Sequence, residues 1–466
     1  MPSIVERLRV ELGSDKVVTD PAGLGARRHD YWMLSQIDDA QGRGAPNPAC
    51  VVRAATRADV VGVVNACRET RTPLVPFGLG SGVCGGVVAS ADSDVLDLGG
   101  MNKVVGIDGS NLLATFEAGV RGSDAESALA KEGLTLGHYP QSIGVSSVGG
   151  WVATRASGQF STAYGNVEDV LFSLEAVLPS GEVVDTRRTP RAAAGPDLRH
   201  VFLGSEGTLG VVTGVTFSLR RAPEKRVLAA YHVTSMNAGF ELQREIVQSG
   251  LLPVVLRQYD ANETARNFGA YAHGSDALLL VVHEGLAAKT DAEANATRKI
   301  AERLGAREAN PDATERWLVD RNHVPSFRSF IDNGVVVDTI EIASAWDKIG
   351  TIYSRTIEAL GGVTGILVAS AHSSHVYRSG INLYFSFAAK PEDPSDLRST
   401  YLECWRRVMT AVIEYGGGIA HHHGIGRVRR EFLRDELGPG GVALLRALKQ
   451  ALDPVGFMNP GALIPD

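Results

Sequence analysis

Apolar residues recur along this chain in two rhythms. Ile4, Val5, Leu8 and Leu12 fall at the three-to-four-residue spacing of one helix face. A polar stretch with glycine and proline then runs to about Pro46. From about residue 49 to 220, short β-branched runs alternate with helical segments. Residues 50–52, 74–76, 112–117 and 170–178 read as strands, and 59–70 as a helix. Ala222, Pro223 and Glu224 mark a boundary. Beyond it, strands are predicted over 227–233, 254–258, 277–283 and 380–387, and helices over 239–249 and 290–304. Ferredoxin-like β-α-β halves produce this alternation. The turn-rich tail runs from Leu452 to Gly461. The pattern predicts an α+β protein in four parts: a helical segment over 1–46, a glycine-rich domain over 47–222, a second strand–helix domain over 223–430, and a C-terminal segment over 431–466.

Composition narrows the picture. The 466 residues suffice for two or three domains at about 150 residues each, and 44% hydrophobic content allows a sizeable core. The net charge of −7 argues against a nucleic-acid partner held by a basic field. Cys50, Cys67, Cys84 and Cys404 form no CxxC pair, which suits a reduced cytosolic protein. The N-terminus carries charges throughout and lacks the apolar core of a signal peptide. No charge-free run of about 20 apolar residues predicts a membrane span. The expected location is the cytoplasm, with peripheral membrane contact left open.

Three glycine clusters precede residue 222. The first is Pro76, Phe77, Gly78, Leu79, Gly80, Ser81 and Gly82, directly after Leu74 and Val75. Glycine leaves no Cβ to block a phosphate, so successive N–H groups can converge on an anion. The loop is neither a Walker A motif nor a GxGxxG fingerprint, and alone it is equally an ordinary turn. The second cluster spans 141–158 and holds Gln141, Ser142, Ser146, Ser147, Gly149, Gly150, Thr154, Arg155, Ala156 and Ser157. Its hydroxyls suit phosphate and ribose oxygens, and Arg155 suits a charge. The third holds Gly204, Glu206, Gly207, Thr208, Gly210, Val211 and Val212. Three such clusters point to a phosphate-bearing cofactor.

The most informative feature is the run His421, His422 and His423, flanked by Gly416, Gly417, Gly418, Gly424 and Gly426. Flanking glycines let a backbone bend sharply and approach a ligand. Histidine moves protons near neutral pH and is the commonest metal ligand. The run is internal and short, unlike an expression tag.

These motifs resemble the FAD-binding vanillyl-alcohol oxidase and p-cresol methylhydroxylase superfamily, and within it the alkyldihydroxyacetonephosphate synthases. The resemblance lies in residues 147–158, 164–169, 195–197, 204–210 and 421–426, and spans about 48 to 463. It implies a two-subdomain FAD-binding domain, an α/β cap domain with an antiparallel sheet for the substrate, and a C-terminal segment returning to the FAD domain. FAD contacts would fall at Pro76–Gly82, Gln141–Ser147, Thr154–Ser157 and Glu206–Val212. Some relatives attach flavin through a histidine in the first loop. This loop has none, so noncovalent FAD is expected, with Cys84 packing nearby.

By the same resemblance Tyr384 is a proton donor or acceptor. Read alone, it is a core tyrosine with a satisfied hydroxyl. Arg328 matches the substrate-binding arginine if one gap is allowed, with Arg321 as the fallback, and Arg257 matches another arginine important to activity. A guanidinium fork suits phosphate or carboxylate. His372 and His375 depart from the synthase pattern and are expected to face the substrate. With the triplet they raise the question of a metal. Metal-using D-2-hydroxyacid dehydrogenases of the superfamily carry Glu-His where this chain has His422 and His423, and a histidine in place of Tyr384. The missing carboxylate argues against a divalent metal, and none is expected.

The resemblance implies exchange of the acyl group of 1-acyl-dihydroxyacetone phosphate for a fatty alcohol, through a flavin N5 adduct and without net redox change. The alternative is FAD-linked oxidation of a D-2-hydroxy acid or related alcohol. The implied partners are a small-molecule or lipid substrate and a second copy in a homodimer.

Overall fold

The computed structural model describes residues 3–187 and 189–465. The first domain holds two sheets. One has Cys50–Arg53, Asp94–Asp97 and Leu74–Phe77 as parallel neighbours, with Val17–Val18 antiparallel at its edge. The parallel strands are apolar on both faces because both are covered. Val52, Leu74 and Leu96 meet the helices Ile4–Leu12 and Arg57–Thr70, while Val51, Val75 and Val95 pack on Leu24 and Phe77. Residues 3–46 pack against both domains. Their strand joins this sheet, and Trp32 Nε1 donates to Tyr401 Oη in the second domain at 3.0 Å.

The second sheet is antiparallel, in the order Val104–Asp108, Leu113–Glu117, Val211–Ser218, Leu171–Val177, Val183–Asp185. Its inner face closes over Phe116, Leu174, Val215 and Phe217 against Trp151 and Val152. Arg220–Arg221 still pairs within the first domain, and the cap begins with Lys225–Val233.

The cap is one antiparallel sheet in the order Arg307–Ala309, Lys225–Val233, Ala277–Gly285, Val255–Tyr259, Ile366–Ser373, Gly380–Ala389, Val336–Ala345. Two strand–helix–strand halves meet where Val255–Tyr259 pairs with Ile366–Ser373. The fold is α+β with an antiparallel cap, as pattern and resemblance imply. Helices Met236–Gln248, Trp346–Gly361 and Leu397–Glu414 bury one sheet face through Ile246, Ile352, Val408, Leu383 and Phe385.

Side chains alternate along a strand, so the partners of one cross-strand row share a face. The pairs Tyr259↔His372, His372↔Tyr384 and Tyr384↔Glu341 set four functional side chains in one row. This row lies opposite the face that carries Leu383 and Phe385. Most core elements read from the sequence are present, with ends shifted by up to three residues. The tail returns to the first domain, where Leu74 N donates to Phe457 O and Asn459 N to Leu74 O, both at 2.8 Å.

Glu341 and Arg429 form an ion pair at 3.0 Å with both side chains fully buried. Removing one partner strands a buried charge, which costs about 3–5 kcal/mol. Arg429→Met is expected to lose about that much in urea unfolding, with Glu341→Gln/Arg429→Met losing less than the sum of the single variants.

Candidate active site

The histidine run lies on an irregular loop that two carboxylates hold. The N–H groups of His421, His422 and His423 all donate to Glu341, His423 at 2.9 Å. Glu206 accepts from Ile425 N at 2.6 Å and Gly426 N at 2.9 Å. Arg429 closes the turn through Glu341 and the Gly424 carbonyl at 2.8 Å. Burial is the largest influence on the Glu341 carboxyl and raises it, but Arg429, the neighbouring histidines and the His423 N–H together outweigh this and keep it below the usual range. Burial pushes Glu206 up to about 7, against the pull of its two N–H partners.

With the loop fixed, the rings make a continuous chain. Tyr384 Oη lies 2.7 Å from His422 Nε2, and His422 Nδ1 lies 2.9 Å from His421 Nδ1. His421 Nε2 is 2.7 Å from Tyr377 Oη, which also meets the Asn166 amide at 2.9 Å. His375 Nδ1 sits 2.6 Å from Ser161 Oγ, and its Nε2 is 3.5 Å from Tyr384 Oη. Because both nitrogens donate once an imidazole is protonated, a ring in this chain can accept at one nitrogen while donating at the other only while it is neutral. Burial provides that, lowering His421 to about 4 and His423 to about 3, and pushing the Tyr384 phenol upward. Nitrogens of His375, His421 and His422 come within 4.8 Å of one another, close enough for an ion. No carboxylate joins that group, and the hydrogen bonds above already use its rings.

Beside the cluster, a cavity of about 670 Å³ opens between the two domains. Arg257, Arg266, Arg316 and Arg321 line it with Gln141 and Gln159. Arg257 stacks on Trp317 at 5.6 Å and donates to Tyr259 Oη at 2.6 Å. Arg321 stacks on Tyr139 at 4.8 Å and Phe160 at 4.6 Å. Arg328 is the exception. It opens the helix Arg328–Asp332, pairs with Asp332 at 2.8 Å, and its side chain is 61% exposed. Its neighbour seven residues back, Arg321, is the arginine that reaches the cavity.

The three glycine clusters converge. A Cβ on Gly78 would lie 2.6 Å from Ser147 Oγ, and one on Gly207 would lie 2.9 Å from Pro76 Cγ. Their side chains mostly serve the fold. Ser146 Oγ accepts from Trp151, Ser147 Oγ caps Gly150 N, Thr154 Oγ1 donates to Gly150 O, and Thr208 Oγ1 donates to Ser205 O. Gln141 donates to His323 O, Arg155 pairs with Glu168, Val211 is core, and the Glu206 carboxylate clamps the histidine loop. These side chains are held within the protein, and the clusters also present backbone N–H groups to a nucleotide. Among the described residues, the N–H groups of 78–82 donate to no protein acceptor. His138, 1% exposed, has both ring nitrogens without a protein partner. Free N–H groups and an orphaned imidazole suit a phosphate-bearing cofactor. Cys84 is core-buried, with its sulfur 3.1 Å from Arg429 Nη1.

The FAD binding domain family matches residues 48–187, and the C-terminal domain of FAD linked oxidases matches 222–463. The chain belongs to the FAD-linked oxidase family. It is 33% identical to the uncharacterised FAD-linked oxidoreductase YgcU of Escherichia coli K12, over 99% of this chain and 98% of that protein. It is 27% identical to the alkyldihydroxyacetonephosphate synthase of Trypanosoma brucei brucei, over 99% of this chain and 80% of that protein. Its fold matches a solved alkyldihydroxyacetonephosphate synthase with a TM-score of 0.84 at 24% identity, covering 99% and 86% of the two chains. A p-cresol methylhydroxylase matches at 0.80 and 17%, covering 99% and 96%. The superfamily resemblance holds, and FAD is the cofactor.

Glu341, Tyr377, Ser161 and Glu263 escape the sequence reading. Glu341 left one signal, a charge inside the apolar strand Val336–Ala345. The others carry none that separates them from ordinary polar positions.

Two outcomes follow from this geometry. Acid precipitation of the holoenzyme is expected to release all its FAD into the supernatant, read by flavin fluorescence. The folded pKa of His423 lies below the unfolded value of about 6.5, so the unfolded chain binds the extra proton. Its contribution to stability is constant above that value and is lost as pH falls from there toward the folded value of about 3. His423→Gln should therefore lose less stability than wild type between pH 6.5 and 4.5, read as the change in Tm.

Proposed function

We propose that this flavoenzyme resembles the alkyldihydroxyacetonephosphate synthases in activity, exchanging the acyl group of 1-acyl-dihydroxyacetone phosphate for a fatty alcohol without net redox change. One observation carries this reading: Tyr384, hydrogen-bonded to His422, stands in the same face row as Tyr259, which borders the arginine-lined cavity. Arg257 and Arg321 suit the phosphate, because a guanidinium fork matches its oxygens. Tyr384 Oη and His422 Nε2 exchange a proton with the carbon next to the anionic end. A proton given up by Tyr384 passes to His422 and, through the facing Nδ1 atoms, moves the His421 proton toward Tyr377. FAD, when bound, supplies a ring able to accept electrons from a substrate carbon. General acid–base help of this kind is worth roughly 10²–10⁴-fold. No helix among the described residues is long and apolar enough to cross a membrane. On this reading a cytoplasmic homodimer meets its lipid at the membrane surface.

The second reading is oxidation of a D-2-hydroxy acid or related alcohol. The polar lining of the cavity, which includes Asn267, Asp320 and His323, favours a small hydrophilic substrate. Mass spectrometry separates the two. Holoenzyme given an acyl-dihydroxyacetone phosphate and a long-chain alcohol, without electron acceptor, is expected to release fatty acid and an ether product. Absence of the ether, with anaerobic flavin bleaching by a hydroxy acid, would establish the oxidation instead. Tyr384→Phe is expected to keep its FAD and lose at least about 10²-fold in turnover. A fully active variant would remove Tyr384 from the chemistry.

A further inference from the structure

His372 has a partner from another element. Glu263, on the helix Ala261–Phe268, brings a carboxylate oxygen 2.7 Å from His372 Nδ1. That carboxylate is fixed by the hydroxyl of Ser386 and by Arg266 at 3.2 Å, and its side chain is 2% exposed. The imidazole lies flat on Tyr384, with centroids 4.6 Å apart and planes 17° from parallel. Tyr259 packs on it at 5.4 Å. Its Nε2 makes no hydrogen bond among the described residues and is not one of the sealed, unpartnered polar atoms. The cross-strand row places this open nitrogen between Tyr259, at the arginine cavity, and Tyr384, at the histidine chain.

A carboxylate that holds one imidazole nitrogen as N–H leaves the other with its lone pair, oriented as a base. We propose that Glu263 and His372 form a proton-accepting dyad for a substrate hydroxyl, with His372 Nε2 as the base and Glu263 as the positioning residue. The O–H bond breaks, an N–H bond forms at Nε2, and the O–H electron pair stays on oxygen for bonding to carbon. The Glu263 carboxylate offsets the charge of the imidazolium. The ligand class is an alcohol reacting beside an anionic group, either the incoming alcohol of an exchange or the hydroxyl of a hydroxy acid. This inference rests on the arginine cavity taking the anionic end, and holds for either reaction. The groups facing the ring are Glu263, Arg266, Arg257, Tyr259 and Tyr384. Burial keeps it neutral before the step.

The test is nitrogen NMR on holoenzyme labelled with ¹⁵N-histidine, with the His372 signals assigned by their loss in His372→Gln. At pH 7 Nδ1 is expected to carry the proton and Nε2 to be bare. In Glu263→Gln the ring is expected to protonate at lower pH, because its counter-charge is gone. The opposite tautomer, or a titration unmoved by Glu263→Gln, would overturn the dyad. In the product assays, His372→Gln should keep its FAD absorbance and lose about 10²-fold in turnover. Wild-type turnover in that variant would remove the base role. A wild-type enzyme that makes no ether defeats the synthase reading, while the NMR result still decides the dyad.

Discussion

Two buried carboxylates gripping one backbone segment set the geometry on which the site depends. Glu341, in the cap strand Val336–Ala345, takes the N–H groups of His421, His422 and His423. Glu206, from the first domain, takes those of Ile425 and Gly426. Hydrogen bonds to an ionised acceptor such as Glu341 are about twice as strong as neutral ones. A loop with three glycines on one side and two on the other has little stiffness of its own. The carboxylates supply it, and Arg429 keeps the cap clamp charged in a place where an isolated carboxylate is costly. Because one clamp belongs to each domain, the loop also joins them.

Electrostatics divides the site into compartments. The arginines gather in the cavity, where stacking on Trp317, Tyr139 and Phe160 orients Arg257 and Arg321, while Arg266 and Arg316 pair with Glu263 and Asp320. The histidines lie where burial keeps them neutral, which lets one ring donate and accept at once. The one-face row Tyr259, His372, Tyr384 and Glu341 connects the two. The sheet thus sets the lateral order of phenol, imidazole, phenol and carboxylate.

How much of this was legible in the chain varies with the physics involved. Period-two and period-3.6 patterns record burial directly, so strands such as Cys50–Arg53 and Ala277–Gly285 and the helix Arg57–Thr70 could be read within a few residues. The histidine triplet and the glycine clusters were visible because their composition is unusual. Side-chain roles within the clusters were not. Thr154, Thr208 and Glu206 read as cofactor ligands in one dimension, and the structure adds that they close backbone turns or hold the loop. Arg328 and Arg321 sit seven residues apart in the chain. Only the path of the chain after the helix Asp312–Asp320 sends Arg321 inward and leaves Arg328 at the surface.

The sequence by itself determined the α+β class, and it displayed the glycine clusters and the histidine run whose composition points to a cofactor and to proton chemistry. These follow from periodicity, from glycine's missing Cβ and from imidazole chemistry, all local properties. Tertiary structure decided which groups meet. Glu263 with His372, Glu341 with the histidine run and Ser161 with His375 are each separated by at least 80 residues in the chain. Their contacts depend on strand register and domain packing, and a one-residue shift in register would turn each row residue to the opposite face.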